Sequence, residues 1–150
     1  TMAYETLTKA TRRQNLFETF FQVLNANKLD GWTVLSAFPE QNPVFPCLVL
    51  NPATISMKSL SLDKSIYRWE ASILIDVYSL TSDGKDKNDQ GMDNVMETIR
   101  TNITANDNIS QYNLTLNREA PFVDEGASQV EINEVGLNIN SITLNLVVKL

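Results

Sequence analysis

Between Ile66 and Leu80 the chain alternates apolar and polar positions. Tyr67, Trp69, Ala71, Ile73, Ile75 and Val77 fall on one side, and Arg68, Glu70, Ser72 and Asp76 on the other. Period two sustained over such a run predicts a strand with one buried face and one wet face. At about 3.3 Å per residue the run would reach about 50 Å, against about 40 Å for the diameter of a compact domain of this length. The strand is therefore expected to outrun its own globule.

The residues before it predict a long β-hairpin. Thr54–Leu62 is strand-like, and Asp63–Ser65 makes a short polar connection. Pairing Leu62 with Ile66 sets Ile55 opposite Ile73, Met57 opposite Ala71 and Lys58 opposite Glu70, a favourable cross-strand charge pair. In that register Trp69 and Tyr67 face only Ser59 and Ser61, so the two aromatics either fold back onto the domain or dock on another chain.

Two stretches carry helical spacing instead. Leu16, Phe17, Phe20, Phe21, Val23 and Leu24 predict an amphipathic helix from about Thr8 to Lys28, heavy enough in phenylalanine to cover a sheet. Met92, Val95, Met96, Ile99 and Ile103 predict a second, starting near Asp86 or Asp89 and fading by Asn106–Asn108. Shorter strands are expected at Trp32–Phe38, at the nearly all-apolar Cys47–Asn51, and at Gln111–Asn117, with Pro52 giving a kink or an edge. The last run, Gln129–Leu150, shows the strand pattern in three phases, with a turn or bulge expected at Glu134–Gly136 and at Asn140-Ser141. Ser82–Gln90 and Arg118–Ser128 read as long solvated loops, and the glycines as turn residues. The expected architecture is one α+β domain over 1–150: a mostly antiparallel or mixed sheet with a long β-hairpin and two amphipathic helices packed on one face.

Composition narrows the function classes. Twelve Lys+Arg against 18 Asp+Glu give a formal net charge of −6 at 150 residues, which argues against clamping nucleic acid and suits a surface past which DNA slides without sticking. Cys47, the single cysteine, lies in an apolar run and reads as a buried structural thiol. No run approaches the roughly 20 apolar residues of a membrane span, and the start of the chain has no signal-peptide apolar core. Thr1 ahead of Met2 is left out of the fold reasoning.

Candidate chemistry is sparse. The chain has no histidine, hence no common general base and no usual zinc ligand. The acids of Ser82–Gln90 resemble a calcium loop in spacing, but Lys85 and Lys87 stand where ligands belong and no Glu closes it. Glu119, Asp124 and Glu125 have no nucleophile or base nearby in sequence. No cofactor, metal or catalytic residue is expected, which leaves a structural or interaction protein.

The order of parts resembles the tail-terminator, or tail-completion, proteins of long-tailed bacteriophages. The matching features are the helix at Leu16–Leu24, the strand entry Phe45-Pro-Cys-Leu-Val-Leu50, the strand Ile73–Tyr78 followed by a polar loop, the helix at Met92–Ile103, and the long C-terminal strands. The resemblance implies a virion structural protein, assembled in the host cytoplasm and located at the head-proximal end of the tail. There a homo-hexameric ring caps the tail tube protein, stops polymerisation, and offers a surface for head–tail joining to the connector protein, while DNA passes through the bore. On that footing Tyr67 and Trp69 are candidate protomer contacts, and Asp83, Lys85, Asp86, Lys87, Asp124 and Glu125 are candidates for facing the tube or connector. Another head–tail connector or neck protein is the nearest rival, and a small carboxylate-dependent enzyme the rival from a different class.

Overall fold

The computed structural model describes residues 9–36, 44–59, 67–102, 114–116, 122–132 and 134–148, with backbone alone at 9–15, 55, 57–59, 67–69, 114–116 and 147–148. In chain order these form α1 (Lys9–Ala26), β1 (Thr33–Leu35), β2 (Cys47–Leu50), β3 (Thr54–Ser59), β4 (Tyr67–Leu80), a 3-10 turn (Thr81–Asp83), α2 (Lys85–Asn102), β5 (Leu114–Leu116), β6 (Phe122–Ile132) and β7 (Val135–Val148). The fold is α+β, as the pattern predicts.

All seven strands belong to one mixed sheet. Its order is β1-β2-β4-β7-β5, with β3 also on β4 and β6 also on β7. Among the described residues only β1 and β2 pair in parallel. β2 and β3 lie end to end along one edge of β4, and β5 and β6 end to end along the far edge of β7. β4 is thus a central strand, laddered to β7 without interruption from Trp69↔Val148 to Leu80↔Leu137. It does not project alone, because β7 matches it in length at 14 residues each.

Both helices cover the same face. The apolar positions Ala71, Ile73, Ile75 and Val77 of β4 and Ile142, Leu144 and Leu146 of β7 meet Leu16, Phe20 and Leu24 of α1 and Met92, Val95 and Ile99 of α2 in one buried cluster. Each fully buried Leu or Ile there contributes roughly 1.5–3 kcal/mol of transfer free energy. Side-chain amides bond to carbonyls of the last described turn of each helix: Asn27 Nδ2 donates to Val23 O at 2.9 Å, and Asn102 Nδ2 to Thr98 O at 2.7 Å.

The hairpin register runs two residues away from the expected one: Ile55 pairs with Ala71, Met57 with Trp69, and Lys58 with Arg68, while Glu70 meets Ser56. The cause lies upstream. β2 is fixed at Leu50↔Ile75, and Thr54 pairs with Ser72, so four steps on one strand answer three on the other. The connection Asn51–Ala53 thus carries one residue more than the stretch of β4 it spans, whereas the expected register would need an excess of three. Trp69 consequently has apolar register partners, Met57 and Val148, where none is expected from sequence. The hairpin's connection lies outside the described residues.

Four further expectations are corrected. α2 begins at Lys85, because Gly84 (φ 85°) turns the chain directly out of the 3-10 turn into the helix, so Lys85, Asp86 and Lys87 are helical rather than in a loop. Phe122–Ser128 is strand, not loop: β6 is held by its ladder to β7, and with residues 124–131 exposed it leaves no apolar alternation to read. β7 is unbroken through Asn140-Ser141, and the irregularity sits across from it in β6, between Asp124 and Gly126. The turn expected at Glu134–Gly136 is present, with Glu134 at φ 66° between Ile132 and its partner Val135. Finally, Gly91 and Gly136 lie inside α2 and β7, not at turns.

Candidate functional site

The sheet face opposite the helices is tied by side chains across its strands. Asp76, on β4, accepts from Asn51 Nδ2 at 2.9 Å on one carboxylate oxygen and from Ser141 Oγ at 2.5 Å on the other. That carboxylate links the end of β2 to β7 across β4. Asn51 also donates through its backbone N–H and its side-chain amide to Leu74 O, each at 3.0 Å. Ser72 Oγ donates to Asn145 Oδ1 at 2.8 Å, and Thr143 Oγ1 to Glu125 Oε1 at 2.7 Å.

These residues frame a shallow hollow around Leu74, which is 37% exposed and bordered by Pro52, Thr54, Ser72, Glu125, Ser141 and Thr143. With a donor on each oxygen, Asp76 is placed as a structural tie rather than as a base waiting for a proton. Toward β2 the same face becomes apolar: Cys47 and Val49 are buried, and the Phe45 ring stands 6.4 Å from that of Tyr78. Burial pushes the Cys47 thiol up to about 12. Burial, then the Asp76 and Cys47 charges, push the Tyr78 phenol up as well.

A second cavity opens beside the helix side, between the start of α2 and the β6–β7 ribbon, lined by Lys85, Asn88, Ser128, Gln129, Asn138 and Asn140 among others. Asn88 is buried at 2% exposure. Its Nδ2 lies 3.1 Å from Val77 O, 3.0 Å from Asn138 O and 3.1 Å from Ser79 Oγ, which sets the amide orientation, since its oxygen would be repelled by the two carbonyls. Asn88 Oδ1 is buried without a partner among the described residues. The sequence signal for this residue is its place four before Met92 and seven before Val95, on the helix's buried stripe; the surrounding charges hide it.

The expected interface residues fall into separate places. Tyr67 and Trp69 open β4, and their side chains lie outside the described residues. Asp83 is exposed in the 3-10 turn, Lys85 and Asp86 are exposed in the first turn of α2, and Lys87 is half-buried. Asp124 and Glu125 are exposed at the β6 bulge, where Asp124 Oδ1 accepts from Gly126 N at 2.8 Å. The structure does not bring the two sets together: the turn follows Leu80, opposite Leu137, whereas Asp124 stands opposite Ile142, about 17 Å further along β7. Glu119 lies outside the described residues.

Among the described residues, no group of His, Cys, Asp or Glu could hold a metal ion, and no helix is long and apolar enough to cross a membrane. No family model matches the chain. No curated protein sequence matches it either.

Proposed function

We propose that this chain is a structural subunit of a phage tail, capping the finished tube as a ring and presenting a surface for head–tail joining. The observation that carries the reading is the architecture itself: a helix-covered sheet whose opposite face is tied by Asn51–Asp76–Ser141 and offers polar and acidic groups. A rigid platform of that kind suits a protein that holds position and contacts neighbours. The parts occur in the order of the tail-terminator resemblance, with α1 first, the Phe45–Leu50 strand entry, a long central strand, α2, and long C-terminal strands.

Light scattering on the protein alone and mixed with tail-tube protein, with negative-stain images of each, tests the reading. Rings or caps on tube ends are the expected result. A protein that stays monomeric and ignores tubes overturns it.

A further inference from the structure

We infer that copies of this chain join head to tail through their sheet edges, β3 of one copy pairing with β6 of the next. The inference deepens the ring reading and rests on it for closure of the ring. β3 and β6 lie on opposite edges of the sheet, and among the described residues neither is paired on its far side. Unpaired edges are templates for strand addition, and the charges and bulges they carry restrict which edge can pair with them.

Charge selects the partner. The β3 edge, Thr54–Ser59, carries Lys58 and no acid, while β6 carries Asp124, Glu125 and Glu131 and no cation. Pairing β6 with β6 would bring acids together on a chain already at −6, and pairing β3 with β3 would bring lysines together. Pairing β3 with β6 joins opposite charges, and an interface between two different surfaces propagates from copy to copy and closes when the rotation allows.

Topology agrees on direction. β3 runs antiparallel to β4, β4 to β7, and β7 to β6, so β3 and β6 run oppositely. Copies arranged by rotation about an axis along the strands keep these directions, which makes the new ladder antiparallel like its neighbours.

One register satisfies the faces of both edges. Ser56 opposite Ser128 puts Met57 opposite Ala127 on the helix side, and Thr54 opposite Val130 on the other. Val130 is 38% exposed in the isolated chain and gains cover there. The same register sets the Lys58 position opposite Gly126 and beside Glu125, at the one point where the β6 bulge (Gly126 φ 101°) breaks the edge.

The test combines charge reversal with cross-linking. Lys58→Glu and Glu125→Lys each weaken self-association about tenfold or more, and the double variant recovers it. Ser56→Cys/Ser128→Cys, at two exposed positions, gives oxidised covalent oligomers that neither single variant gives. Circular dichroism and urea melts confirm that each variant is folded. Rings of the double-cysteine variant that fail to cross-link on oxidation, or rings that ignore both charge reversals, overturn the edge inference and leave the ring reading standing. Cross-linked oligomers that ignore tubes do the opposite. Absence of any oligomer, with or without tube protein, overturns both.

Discussion

Gly91 of α2 packs directly against the indole of Trp32. A Cβ built on it would stand 2.3 Å from Trp32 Cη2, 2.7 Å from Cζ3 and 2.9 Å from Val77 Cγ1. Both neighbours are buried, Trp32 at 5% and Val77 at 0% exposure, so neither can swing into solvent to make room. The glycine sets how closely α2 approaches β4.

Gly91→Ala should therefore destabilise the fold. Alanine is the better helix former by about 1 kcal/mol, but overpacking a closed core costs typically 1–3 kcal/mol, and the helix must lift to relieve it. The urea midpoint should fall. Trp32→Phe in the Gly91→Ala background should lose less than the sum of the two single changes, because it removes the atoms that clash. Strict additivity would refute the packing account.

Asn88→Ala removes the donor that serves Val77 O and Asn138 O and should cost about 1–3 kcal/mol. Asn88→Asp separates lost bonding from lost volume. A carboxylate there faces two carbonyls in a buried site, so its folded-state pKa is raised above the unfolded value, and only the protonated form can donate. That contribution is present below the unfolded pKa and is lost as pH rises through the folded one. The Asp variant should thus approach the parent in acid and fall toward the Ala variant at neutral pH, as measured by urea melts across that range. A pH-independent deficit would mean that the donor does not matter.

The buried Cys47 thiol gives a second pH signature. Its pKa is raised from 9.0 to about 12 by burial, so the unfolded chain loses this proton first. Stability is fully present below 9 and declines as pH rises toward 12, with a slope of up to about 1.4 kcal/mol per pH unit. Cys47→Ala should flatten that part of the curve. Subtracting the two curves reduces the background of tyrosine and lysine titration. Identical slopes would show that the thiol ionises freely in the folded state.

The sequence discloses what apolar periodicity can encode. Ile73, Ile75 and Val77 declare a buried face at period two, and Phe20, Leu24, Val95 and Ile99 declare two covering helices. Phe122–Ser128 of β6 escapes because its order comes from backbone pairing to β7 and Asp124–Ser128 are exposed, whereas Gln129–Ile132 carries the strand pattern in Val130 and Ile132. The hairpin register escapes because β2, paired to the same strand, and the short connection Asn51–Ala53 hold β3 in place, and a local reading of residues 54–73 contains no trace of that constraint. Of the candidate surface, Asp76 is legible as a wet-face residue, but its partners Asn51 and Ser141 come from strands whose neighbours only the folded sheet defines. Sequence spacing places Asp83–Lys87 and Asp124–Glu125 in two loops; folding puts one set in a turn and helix and the other in a strand.

The register that removes the expected Lys58–Glu70 pair leaves Lys58 directly opposite Arg68, two cations across one ladder. Like charges in that position work against the sheet by a few tenths of a kcal/mol, and Glu70, diagonal to Lys58 on the same face, moderates the cost without removing the geometry. Lys58→Glu should accordingly act in opposite directions on two measurements: the urea midpoint of the isolated subunit should stay level or rise slightly, while self-association weakens. If the substitution lowers stability and association in parallel, Lys58 is a folding residue, and the charge argument for the β3–β6 edge contact fails with it.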